Sequence, residues 1–236
     1  MRKSNIFKSL CIFALFVFAG FSAKAQLTHL EQSIYLNFNL PMAQFNDDAS
    51  YSNGNIPMTR YDIGKEAVAG VGIGYRVSYR FDVGFGEVSP YLNADFQWNR
   101  VNSDLRDEYL DADGKIPNYF NLPVFVGVNY RYQLTDVFTP FAEFGIGPDF
   151  LLVTKETVPL TNIDLRYKLS CNVAWQIGAG CFFGEHVSAG IHYSGFGKHT
   201  IKYTDGTTDT DPVSLADTKT QKRNLGLLSL RIGFHF

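Results

Sequence analysis

The sequence predicts an all-β protein, an eight-stranded antiparallel up-and-down transmembrane β-barrel. Three observations predict it. The final stretch alternates with period two: Leu228, Leu230, Ile232, Phe234 and Phe236 fall on one face of an extended chain, Ser229, Arg231, Gly233 and His235 on the other. Seven earlier stretches alternate in the same way, and the links between them run long, short, long, short, long, short, long. Six strand charges, Arg76, Arg80, Asp95, Arg131, Glu143 and Arg231, all lie on the polar parity of their strands.

The start of the chain predicts the compartment. Arg2, Lys3 and Lys8 precede an apolar run from Leu10 to Phe21, and Ala23-Lys24-Ala25 forms a small-x-small site. This is the pattern of a secretory leader over residues 1–25, cut before Gln26. The run is too short to span a bilayer as a helix. Cys11 lies inside it, which argues against a lipoprotein anchor. The leader carries four basic and no acidic groups, leaving 17 basic against 23 acidic groups in residues 26–236, a net of −6. Such a balance argues against nucleic acid or anionic lipid headgroups as the main partner. Cys171 and Cys181 sit ten residues apart in one predicted strand, about 33 Å, far beyond disulfide reach.

The first strand, about Ser33 to Leu40, sets Ile34, Leu36, Phe38 and Leu40 against Tyr35, Asn37 and Asn39. A long polar segment, Pro41 to Glu66, leads to the second, Val68 to Phe81, where Val71, Ile73, Tyr75 and Val77 oppose Gly70, Gly72, Gly74 and Arg76. After a short turn, Leu92, Ala94, Phe96 and Trp98 oppose Asn93, Asp95, Gln97 and Asn99. Beyond the polar segment Asn102 to Pro117, the fourth strand spans Asn118 to Tyr132, with Pro123 inside it. A closed sheet wants a donor at every position, so Pro123 is expected near the upper rim or at a bulge. The fifth strand carries Ala142, Phe144 and Ile146 against Glu143, Gly145 and Gly147, and a third long loop covers Asp149 to Lys168. Val173, Trp175 and Ile177 mark the sixth strand, and Val187, Ala189, Ile191 and Tyr193 the seventh. Last comes the polar stretch Lys198 to Lys222, with seven Thr and four Asp between Thr200 and Thr220. That composition is expected to be mobile.

At the short-turn end the apolar faces finish in aromatics: Tyr79, Phe81, Tyr130, Tyr132, Phe183, Phe234 and Phe236. An aromatic girdle at one rim, with alternating short and long links, is the pattern of a small outer-membrane barrel. Reversing the facing would aim the six charges at lipid, at about 2–4 kcal/mol for each Arg near the midplane. The sum, on the order of 10 kcal/mol, rivals the stability of a whole domain.

Eight strands enclose a lumen just wide enough for side chains to fill, so the six charges are expected to form a hydrogen-bonded plug. A turn centred near Phe85 would set Arg76 opposite Asp95 and Arg80 opposite Tyr91. A turn centred on Asp136 sets Asn129 opposite Glu143, with Arg131 diagonal to it. Four Arg against two acids leave positive charge over, so a residual leak through a narrow channel would favour anions. His192 and Ser194 share one strand face, but residues two apart on a strand are about 6.6 Å apart, and lipid chemistry needs groups that meet acyl chains. No catalytic, metal or cofactor site is assigned: Asp107, Asp111 and Asp113-Gly114 lack the closing Glu of a calcium loop, and Gly70-Val71-Gly72-Ile73-Gly74 lies within a strand, where glycines make room for neighbouring lumen side chains or allow curvature.

Three segments resemble the "porin family" of small outer-membrane β-barrel proteins, including PorT-like members: Tyr119-Phe120-Asn121-Leu122-Pro123, Pro140 to Pro148, and Gln176 to Gly180 leading to Tyr193-Ser194-Gly195-Phe196-Gly197. The resemblance implies location in the outer membrane and no assigned activity. The expected protein is a monomer in contact with outer-membrane lipid. Its C-terminal strand, ending on Phe236, is read by the barrel insertion machinery, and its long loops carry a structural, binding or adhesive role towards an extracellular ligand. A narrow channel, a lipid-modifying enzyme and a soluble lipocalin-like carrier are the competing readings.

Overall fold

The computed structural model describes residues 29–46, 67–102, 115–157, 163–207 and 219–236. The leader and the Asp107–Asp113 segment lie outside the described residues. Eight long strands form the wall: β1 Leu30–Ala43, β2 Ala67–Tyr79, β3 Glu87–Val101, β4 Tyr119–Arg131, β5 Phe138–Val153, β6 Ser170–Phe183, β7 Val187–Thr207 and β8 Lys219–His235. Each pairs antiparallel with its sequence neighbour, and β8 returns to β1 with Ser33 opposite His235. Reciprocal backbone bonds between Gln32 and Phe236, at 3.0 and 2.9 Å, close the seam to the last residue. Among the described residues, the eight-stranded wall is therefore closed on itself.

Three parts of the long-loop end are more ordered than their composition predicts. β5 continues to Val153, past Asp149. The third loop contains two short strands, Glu156–Thr157 and Ile163–Tyr167, and the second of these pairs with β7 (Tyr203 opposite Tyr167). Much of the last polar stretch is ladder too, with Lys198 opposite Asn224 and Tyr203 opposite Lys219. The reason is a dry upper lumen: Leu151, Val153, Leu165, Ile201, Leu225 and Leu227 are buried there together with Phe45 and Tyr119. The register shifts between Gly195 and Gly197, where Gly197 takes φ 67°, and this bulge turns Phe196 into the same cluster. Pro123 causes no such shift. It points inward, and the β3–β4 ladder skips its pairing without changing register, from Ala94 opposite Val124 to Gln97 opposite Asn121.

The wall is inverted relative to a protein dissolved in water. Val126 is 63% exposed and Ile191 61%, whereas Arg76, Asp95, Glu143 and Arg231 are buried. A soluble monomer rarely shows apolar patches beyond a few hundred Å², and here the apolar face runs through all eight strands. A lipocalin-like carrier requires the opposite facing. Val126 lies on β4 between Leu92 and Ile146 of the adjoining strands. Val126→Arg is expected to lower the stability of vesicle-folded protein by about 2–4 kcal/mol, read from its urea midpoint. A change within about 0.5 kcal/mol, normal for a water-facing site, would mean that this face does not meet lipid.

Candidate functional site

The lumen holds the chemistry, stacked in layers. Strand parity turns Arg76 of β2, Asp95 of β3, Glu143 of β5 and Arg231 of β8 inward at mid-height. Arg76 forks onto Glu143 across the lumen, Nη1 to Oε2 and Nη2 to Oε1, both at 2.7 Å. Two parallel charge-assisted bonds fix both planes. Glu143 also accepts from Asn129 Nδ2 at 3.0 Å and lies 3.1 Å from His192 Nε2. The Arg76 guanidinium lies over the Tyr91 ring at 3.9 Å and the Tyr35 ring at 4.9 Å. Arg231 donates to Asp95 at 2.9 Å and to Asn37 Oδ1 at 2.8 Å, and its Nη1 stands 3.6 Å from Glu143. Gln176, with its amide turned so that the oxygen meets the guanidinium, accepts at 3.0 Å.

Towards the short-turn rim, Arg131 of β4 binds Glu31 of β1 at 2.7 and 2.5 Å and stacks over Phe182 at 3.9 Å. His235 lies 3.2 Å from Glu31 and also meets Ser188 at 2.7 Å and Ser33 at 2.8 Å. Towards the long-loop rim, Asp149 accepts from Asn121 at 2.9 Å and lies 3.0 Å from His199, whose Nδ1 meets Ser170 at 3.1 Å. The dry cluster seals the lumen above this pair.

Five of the six sequence-predicted charges sit in this buried stack; Arg80 does not. It lines an open mouth of about 730 Å³ at the short-turn rim, beside Asp82, Asp136 and Glu185. The expected wall pairings need correction. Phe81 lies opposite Val88 and Arg76 opposite Asn93, so the turn is centred one residue earlier than its sequence suggests. Arg76 therefore binds Glu143 through the lumen rather than Asp95 along the wall, and Ser78, not Arg80, faces Tyr91. Asn129 does face Glu143, and Arg131, opposite Phe141, is diagonal to it as expected, but its guanidinium binds Glu31. With Glu31 present, three Arg meet three carboxylates, so the surplus of positive charge, and the anion preference derived from it, disappears.

Glu31, Asp149, His199 and His235 were absent from the predicted network. The alternation of β1 extends two residues below Ser33, and that continuation is the signal that could have found Glu31. The glycines of β2 have a steric role: a Cβ at Gly74 would stand 1.8 Å from Asp95 Oδ1, and at Gly72 3.1 Å from Gln97 Cγ. The bare backbone of β2 is the seat on which the β3 side chains lie.

The predicted girdle residues sit at the short-turn rim. Tyr79 and Phe81 pack at 4.8 Å and Phe234 and Phe236 at 6.2 Å; Phe183 packs on Phe138 at 5.6 Å. Tyr130 donates its hydroxyl to Phe85 O at 2.9 Å, and Tyr132 is exposed. A second aromatic band, unforeseen, lies nearer the long loops: Trp98 on Phe120 at 6.5 Å and Trp175 on Tyr193 at 5.4 Å.

No family model matches the chain, and no curated protein matches it in sequence. Among solved structures it is similar to the outer membrane protein OprG from Pseudomonas aeruginosa, at 16% identity and a TM-score of 0.45 over 87% of this chain and 95% of that one. It is similar to Neisserial surface protein A, at 10% identity and a TM-score of 0.44 over 88% and 96%. The outer membrane enzyme PagL is a further such structure, at 14% identity and a TM-score of 0.40 over 85% and 97%. The likeness is one of barrel architecture.

Proposed function

We propose that the chain is a small, monomeric outer-membrane protein, exported by a leader cut before Gln26, whose filled barrel is a rigid anchor for outward-facing loops with a structural, binding or adhesive role. The observation that carries this reading is the closed middle of the lumen. The void bounded by Tyr35, Arg76, Glu143, His192 and Arg231 leaves no room for a water molecule. A path for solutes would require this ion-paired layer to come apart, and breaking a buried pair costs about 3–5 kcal/mol. The outward apolar face supports lipid as the surrounding solvent, and the glycine and aromatic motifs support grouping with the porin-family barrels. The pairing of the last strand with β1, from Ala43 opposite Leu225 to Ser33 opposite His235, supports a role for that strand in insertion, because this ladder is the one that closes the barrel.

His192 supports a non-enzymatic reading. It is 1% exposed, set on Glu143 inside the lumen, where no acyl chain reaches it. Reconstitution into a planar phosphocholine bilayer is expected to give no steady current at 100 mV. A stable, reproducible open level would replace the anchor with the narrow-channel reading.

A further inference from the structure

One group of side chains has no place in the plug. Above the apolar belt, the outward face formed by β7, β8 and the Ile163–Tyr167 strand carries Arg166, Lys168, Lys198, Lys202 and Lys222. All five are exposed, while Leu165, His199, Ile201 and Leu225 between them point inward and are buried. The register sets them side by side. Lys168 N donates to Lys202 O at 2.9 Å, so these two lysines stand opposite one another. Thr200 faces Lys222, which places Lys222 between Lys198 and Lys202, and Arg166 faces Thr204. No carboxylate of the described residues lies within 4 Å of any of the five.

Like charges opposite one another in a ladder are destabilising, so folding alone does not account for this cluster. Composition does not account for it either, since residues 26–236 carry a net charge of −6. Its height points to the occupant. A tilted strand crosses the hydrocarbon in about 9–11 residues, and Lys198 stands eleven residues after Val187 at the short-turn rim. Trp175 and Tyr193, in contact at 5.4 Å, mark the aromatic edge just below. The ammonium groups thus emerge where the phosphates of an outer leaflet lie, with apolar Leu228 and the two aromatic rings beneath them.

Building on the membrane reading above, we propose that this face is a docking site for the phosphate groups of an outer-leaflet glycolipid. The cations neutralise phosphates, and the acyl chains run down along Leu228, Tyr193 and Trp175. The test uses the mature chain folded in phosphocholine vesicles, with lipid A titrated in and the midpoint of heat-modifiable unfolding as readout. Lipid A is expected to raise the midpoint, and lipid A stripped of its phosphates is not. The triple variant Lys198→Gln, Lys202→Gln, Lys222→Gln is expected to need about 100-fold more lipid A, at about 1 kcal/mol for each lysine. The corresponding triple Arg variant should respond like the parent. Equal response to the dephosphorylated lipid, or an unaltered Gln variant, overturns the inference. A shift of the same size with dextran sulfate at matched charge makes the occupant a soluble polyanion and overturns the lipid assignment. A chain that fails to insert into phosphocholine vesicles overturns the membrane reading as well, whereas insertion without the shift overturns this inference alone.

Discussion

Replacing Glu143 with Leu is expected to destabilise the folded barrel by about 3–5 kcal/mol, because it strands Arg76 in a dry lumen without its partner. The buried fork at 2.7 Å is the strongest contact Arg76 makes, and the Tyr91 and Tyr35 rings offer only their faces in its place. Asn129 and His192 would lose their shared acceptor as well. The double variant Arg76→Met, Glu143→Leu removes both charges at similar volume and is expected to recover most of the loss, since a well-packed apolar pair often matches a buried ion pair. Urea midpoints of vesicle-folded protein measure both. A single variant as stable as the parent would mean that water reaches Arg76, and the closed lumen would then be the wrong picture.

The second large effect is expected at Phe45, just past the end of β1. Its side chain is fully buried, edge-on to Tyr119 at 5.2 Å, and its carbonyl accepts from Ala67 N at 3.0 Å. Phe45→Ala removes the largest apolar group from the segment that roofs the lumen, at a cost of about 3–5 kcal/mol. Phe85, 70% exposed in the β2–β3 turn, is the control, and Phe85→Ala is expected to cost less than about 1 kcal/mol. Equal losses at the two positions would show that Phe45 seals nothing.

These two residues mark the boundary of what can be read along the chain. Glu143 was legible as an inward charge because a strand turns alternate side chains to opposite faces, whatever surrounds it. Its partner was not. Arg76 and Glu143 lie on strands three apart in the wall, and only the curvature and stagger of a closed sheet bring them face to face. Phe45 lies in a segment that reads as polar loop. Leu225 and Leu227 fall on the lumen parity of β8 for a related reason: the apolar-out, polar-in rule holds where the lumen is polar, and the upper lumen takes apolar groups. Phe196 changes sides through a bulge, and the paired glycines that permit the bulge also fit an ordinary strand.

Taken alone, the sequence determined the number of strands, their facing and the alternation of short and long links, because these follow from local periodicity and the cost of ionised groups in lipid. Tertiary structure alone decided which charges meet, that Glu31 balances the third Arg, and that the lumen divides into a polar middle and an apolar roof. Contacts across a closed barrel join residues far apart in the chain, and their distances depend on the register of every ladder at once.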